Sequence, residues 1–192
     1  MSLRERNRRN TLAVTQRTAV EMFVAEGFDE VKVIDIAAAV GMAPSTLYRY
    51  FPTKEAIVLW DEHTDAYATA LEDALNRHEP FAALREAFTT GLAGIYDADT
   101  DFQLQRVALM YRVPAIHAAG FAASIADRNY LTDLLEDHLT PANQPMAELL
   151  AGVALLATDW AFDQWQRSEA ATPLAELVGS AFDRLGHLEA ID

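Results

Sequence analysis

Residues 33–52 read VIDIAAAVGMAPSTLYRYFP, and their spacing decides the fold. The stretch predicts two short helices joined by a turn at Gly41. Ile36, Ala37 and Val40 share one face of the first helix. Leu47 and Phe51, four residues apart, share one face of the second. Ala37 is small where another helix must cross closely. Gly41 can take the positive φ that a tight turn requires. Pro44 opens the second helix at a first-turn position, where its missing N–H does no harm. Two short helices joined in this way form a helix-turn-helix, whose second helix lies in the major groove of DNA.

The outward side of that second helix carries Pro44, Ser45, Thr46, Tyr48, Arg49 and Tyr50. Hydroxyls and a guanidinium there can reach base edges or phosphates, and tyrosines can bond phosphate oxygens through their OH groups. Lys54 follows at the start of the next helix, where backbone N–H groups also favour phosphate. A helical hairpin with a merely solvated polar face fits the same pattern, so the distribution of charge matters. The chain has 192 residues and a net charge of −14, which at first argues against a nucleic-acid partner. Residues 1–60 nevertheless carry eight bases (Arg4, Arg6, Arg8, Arg9, Arg17, Lys32, Arg49 and Lys54) against seven acids. Residues 61–192 hold the other seven bases and 22 acids. The bases are concentrated around the candidate DNA-binding stretch.

The rest of the chain reads as helix. It is rich in alanine and poor in strand-like alternation. Phe81, Leu84, Phe88, Leu92 and Ile95 recur at helical spacing, as do Leu174, Leu177, Val178, Ala181, Phe182, Leu185 and Leu188. Breakers set the expected boundaries: a first helix from near Thr11 to Gly27, the two short ones, and a continuous fourth over 53–77 capped by Thr53. Further helices are expected at 81–96, 101–112, 114–139, 146–168 and 173–188, about nine in all. Apolar residues make up 51% of the chain and there is no cysteine, which excludes a disulfide scaffold and a thiolate metal site. No segment has the length of a membrane span and no apolar run follows the N-terminal arginines, so a cytoplasmic protein is expected.

The segment FVAEGFDEVKVIDIAAAVGMAPSTLYRYFPTKEAI, residues 23–57, resembles the signature of the tetracycline-repressor (TetR) family. The matches are Phe23, Gly27-Phe28, Ile36-Ala37, Gly41, Thr46-Leu47-Tyr48, Tyr50-Phe51 and Lys54-Glu55. The resemblance covers roughly residues 8–60. It implies an all-α chain with a three-helix DNA-binding domain at 1–53 and a helical effector-binding and dimerisation domain at 54–192. It also implies DNA contacts from Pro44, Ser45, Thr46, Tyr48, Arg49, Tyr50 and Lys54. There are departures from the family pattern. Val31 and Lys32 stand where threonines are common, and Lys32 could replace a hydroxyl–phosphate contact with a charged one. Ala43 stands where a capping Ser is usual. Thr15 and Gln16 stand where the first helix usually has large aliphatics. The stretch QRVALMYRVPAIHAA, residues 105–119, resembles a mycofactocin-system subgroup, which by itself implies no ligand.

The resemblance implies that the last two helices form a four-helix interface with a second protomer. Helix 146–168 supports this, with a stripe of Leu149, Leu150, Val153, Leu156, Ala157 and Trp160 and a second apolar set of Leu155, Phe162 and Trp165. A helix apolar on two sides must bury both. A buried central helix in a monomer is the alternative. His63, Tyr67, Phe88, Tyr111, Arg112, His117, Phe121, Trp160 and Asp163 mix aromatic and polar groups that could line an effector pocket. They could equally be ordinary core and surface. No cofactor or metal is expected. No residue three before any histidine is a glutamate, as a di-iron bundle would need, and no HExxH, GxSxG, P-loop or GxGxxG occurs. The function expected is an effector-responsive regulator, acting as a homodimeric repressor on a near-palindromic operator. A helical enzyme or an interaction module without DNA is the alternative.

Overall fold

The computed structural model describes residues 2–61 and 63–187, excluding the side chains of 64–66, 92–94 and 97. Leu188 and the side chain of Leu92 lie outside the described residues. Ten α-helices occur among them, and no strand. They are α1 (Leu3–Glu26), α2 (Val33–Ala39), α3 (Pro44–Tyr50), α4 (Lys54–Leu59), α5 (Thr64–Leu75), α6 (Pro80–Ala98), α7 (Thr100–Arg112), α8 (Pro114–Glu136), α9 (Met146–Arg167) and α10 (Leu174–Leu185). The chain divides into two compact units. Among the described residues, the first holds 2–61 together with Gln105–Gly120; the second holds His63–Leu104 and 121–187.

Two boundaries differ from the sequence reading. The first helix begins at Leu3, not near Thr11, because the Ser2 hydroxyl accepts the Glu5 N–H and caps it. The arginines at 4, 6, 8 and 9 are therefore helical. The expected continuous helix over 53–77 is two helices, broken between Leu59 and Thr64. Trp60 leaves the helical path at φ −58°, ψ 132°. The carbonyls that would have continued the helix bond to side chains from elsewhere, as described below. The compact units also fall differently from a single cut at 53/54, because residues 105–120 pack with the first unit.

The first unit has one apolar core. Leu12, Ala19 and Phe23 of α1 meet Ile36 and Ala37 of α2, Leu47 of α3, Phe51, and Ile57 and Val58 of α4. Ile116 of α8 joins them, with Leu109, Met110 and Val113 packed alongside. The α2–α3 turn ends α2 in a Schellman motif. The Met42 N–H donates to Ala37 O at 2.8 Å, and the Gly41 N–H to Ala38 O at 3.2 Å. Gly41 has φ +66°, which a side chain adopts only with strain.

In the second unit α6 packs against α5 and α10, and α9 against α10 and α6. The buried side of α9 is a seam of small residues, Ala147, Ala151, Ala154, Ala157 and Ala161, closed by Trp165. That seam lets neighbouring backbones approach closely. Gly91 of α6 serves the same end, since a Cβ there would meet the Tyr67 ring at 2.6 Å.

Leu47→Ala is expected to lower stability by about 2–5 kcal/mol, because the site is fully enclosed. Gly41→Ala should cost about 1–2 kcal/mol through its positive φ alone. Urea denaturation followed by circular dichroism checks both.

Candidate nucleic-acid interface

The α3 helix has seven residues, too few to stand alone in water. Its N-cap is Ala43, which makes no side-chain cap bond, so it relies on Pro44 at the first turn and on packing. Leu47 is 0% exposed and Phe51 2%. Burying that side turns the opposite side to solvent. Pro44, Ser45, Tyr48 and Arg49 are exposed, while Thr46 and Tyr50 are half-buried at its edges. Tyr48 is 48% exposed, a large aromatic presented to water. The Arg49 guanidinium lies 5.2 Å from the centre of the Tyr50 ring. This stacking orients a planar donor fork, the group best suited to guanine edges and phosphates.

Lys32 precedes α2 and is exposed. Its backbone N–H donates to Asp35 Oδ2 at 3.2 Å, which holds the start of α2 and leaves the ammonium outside. Lys54 is placed differently. Its ammonium donates to Phe28 O and, at 3.0 Å, to Val31 O, and it lies 4.4 Å from the centre of the Phe28 ring. Two of its three N–H groups tie the start of α4 to the α1–α2 turn. Any phosphate contact falls to the third.

The sequence left one feature of this unit unread. Gln16 of α1 is 6% exposed, and the two N–H groups of its Nε2 are shared among Ile57 O, Val58 O and Trp60 O at 2.8, 3.2 and 2.6 Å. Arg106 of α7, 4% exposed, donates to Val58 O and Trp60 O at 2.8 and 2.9 Å. The carbonyls at the end of a helix lack intrahelical partners, and here two side chains supply them. The signal was present in the sequence: polar Thr15 and Gln16 stand at positions expected to be aliphatic.

The nine effector candidates are divided between the two units. Tyr111, Arg112 and His117 belong to the first unit, with the Tyr111 and His117 rings 6.0 Å apart. His63, Tyr67, Phe88, Phe121, Trp160 and Asp163 belong to the second. Phe88 stacks against Phe182 of the core at 6.3 Å. Asp163 accepts from Arg167 Nε at 2.9 Å, and Phe121 is exposed. The second unit also has an open cleft of about 620 Å³ between α6 and α10, lined by Arg85, Thr89, Gly179, Ser180, Asp183 and Arg184 among others. None of the nine lines it. There the hydrogen bonds from Arg85, at 2.8 and 3.0 Å, hold the Asp183 carboxyl below its usual pKa. No cluster of residues fit to hold a metal occurs among the described residues, and no described helix is long and apolar enough to cross a membrane.

A short helix with a buried apolar side and a polar, arginine-bearing side, set behind a Schellman turn, defines a helix-turn-helix DNA-binding protein. The comparisons with known proteins agree. A family model for bacterial regulatory proteins of the tetR family matches residues 17–59, and one for the MftR C-terminal domain matches residues 78–188. The regulator MftR of Mycobacterium tuberculosis (strain ATCC 25618 / H37Rv), assigned to mycofactocin biosynthesis, is 31% identical over 183 residues, covering 88% of this chain and 85% of that protein. The HTH-type transcriptional regulator TcmR of Streptomyces glaucescens is 30% identical over 123 residues, covering 60% of this chain and 54% of that one. Among solved structures, the TetR-family repressor FadR of Thermus thermophilus, in complex with lauroyl-CoA, shares the fold with a TM-score of 0.55 at 24% identity over 96% of each chain. The chain belongs to the TetR family of bacterial transcriptional regulators.

Two substitutions separate contact from support. Tyr48→Ala should leave stability within about 0.5 kcal/mol, as surface changes do, while weakening operator binding. Lys54→Ala should weaken binding and also lower stability by about 1–3 kcal/mol, since two turn carbonyls lose their donor. Paired urea denaturation and duplex-binding titrations check the contrast.

Proposed function

We propose that this regulator binds a near-palindromic operator as a homodimer, represses transcription there, and is released by a small-molecule effector held in the second unit. The observation that carries the DNA reading is the outward face of α3. Ser45, Thr46, Tyr48, Arg49 and Tyr50 meet base edges and phosphates, with Pro44 against the groove. Lys32 and the remaining N–H of Lys54 bind the backbone. The exposed arginines of α1 add sequence-independent attraction.

The dimer reading rests on α9. Opposite its buried alanine seam, Met146, Leu149, Leu156 and Trp160 are exposed along one face. Large apolar side chains aligned on one exposed face suit a partner helix from a second copy. Twofold symmetry then sets two recognition helices about 34–36 Å apart, one turn of duplex.

The effector reading rests on kinship with regulators and on the FadR neighbour, whose solved structure holds lauroyl-CoA. Tyr67 and Phe88, on α5 and α6, are the foremost candidates to line its pocket. The effector acts only through different affinities for the DNA-competent and DNA-incompetent states. A cytoplasmic site of action follows from a DNA partner.

The test is a salt titration of duplex binding. A protein neutralising 6–10 phosphates should lose about 10³–10⁵ in affinity between 50 and 200 mM salt. Salt-insensitive or absent binding would sink the DNA reading and favour a protein-interaction module. For the dimer, Leu156→Glu should yield monomers in sedimentation velocity at concentrations where the wild type is dimeric. A dimeric Leu156→Glu chain would contradict the α9 interface.

A further inference from the structure

The six residues of α4 are held at both ends by side chains from other elements. At its start, Lys54 binds Phe28 O and Val31 O in the α1–α2 turn. At its end, Gln16 and Arg106 converge on the same two carbonyls, Val58 O and Trp60 O. Gln16 alone takes Ile57 O in addition. Both donors are buried, and each shared carbonyl has two lone pairs to receive both. The guanidinium charge sits at a helix C-terminus, where the aligned peptide dipoles are negative. Between the two ends, Ile57 and Val58 enter the core that also seats Leu47 and Phe51 of the recognition hairpin. Trp60 meets the Phe51 ring edge-on at 6.3 Å.

We infer that Gln16 and Arg106 are positioning residues for operator recognition, acting as one redundant clamp on the α4 C-terminus that sets the angle at which α3 is presented. Neither needs to touch DNA. Arg106 lies within residues 105–120, which pack in the first unit. The clamp therefore ties the α7–α8 corner to the helix-turn-helix through two carbonyl oxygens. The inference rests on the DNA-binding reading above.

Redundancy has a measurable signature. With one donor removed, the other still serves Val58 O and Trp60 O. With both removed, the two oxygens lose these donors, Val58 O in a buried site and Trp60 O in a half-buried one. The experiment is a double-mutant cycle on the full chain with Gln16→Leu and Arg106→Met, read as affinity for a duplex selected by the wild type. Each single change should weaken binding by less than about 5-fold, and the pair by more than about 50-fold, beyond the product of the singles. In the Gln16→Leu background, Arg106→Lys should bind between Arg106 and Arg106→Met, since one ammonium lacks the fork that spans both oxygens.

Should the double variant melt below the assay temperature, Gln16→Glu replaces it. A carboxylate there repels both carbonyls and draws Arg106 away from them, so binding should fall by more than about 10-fold. Multiplicative effects in the cycle overturn the clamp, as does Gln16→Glu binding within about 3-fold of wild type. In that case wild-type binding still stands and only this inference fails. A wild type that binds no duplex overturns the DNA-binding reading and this one together.

Discussion

The structure depends on the burial of one side of a seven-residue helix. With no side-chain cap and too few residues to hold itself, α3 exists because Leu47 and Phe51 are enclosed by α1, α2 and α4. The same burial fixes which side chains face out. Rotation by one residue would expose Leu47 and bury Tyr48 or Thr46, which the core cannot satisfy. The presentation of Tyr48 and Arg49 is thus a consequence of apolar packing behind them. The Gly41 turn supplies the other half of the constraint, bringing α3 after α2 with the Val40, Gly41 and Met42 amides all bonded to α2 carbonyls.

The α4 helix secures that arrangement. It is short, and its ends are completed by side chains from the α1 and α7 helices and by its own lysine reaching back to the α1–α2 turn. Polar groups inside a core are costly unless bonded, and here each bond ends on a carbonyl that the helix itself cannot serve. Lys54, expected from the sequence to bind phosphate, spends most of its hydrogen-bonding capacity within the protein, on Phe28 O and Val31 O.

Much of this was legible in the sequence. The helix-turn-helix followed from local spacing at Ile36, Ala37, Gly41, Leu47 and Phe51, where short-range periodicity and one permissive glycine suffice. The two-sided character of α9 was legible too, although the inward face proved to be alanines and Trp165 and not the larger aliphatics. What escaped were features set at long range. Helical propensity continues through residues 60–63, so nothing local announces the break there; it is made by Gln16 and Arg106, distant in sequence. The placement of 105–120 with the first unit has the same origin. The effector candidates were chosen by residue type alone, and residue type does not say which unit a side chain joins.

Charge ties these parts to function. The net of −14 averages a near-neutral first unit, with bases on α1 and α3, over an acidic remainder. An acidic net charge outside the first unit discourages unselective phosphate binding and leaves recognition to a small footprint. The most direct test is selection of bound duplexes from a random DNA pool by the purified wild-type chain. The account predicts an inverted repeat whose half-site centres lie about 10 base pairs, or a multiple of one helical turn, apart. Sequences no different from the starting pool, or a single unrepeated site, would contradict it.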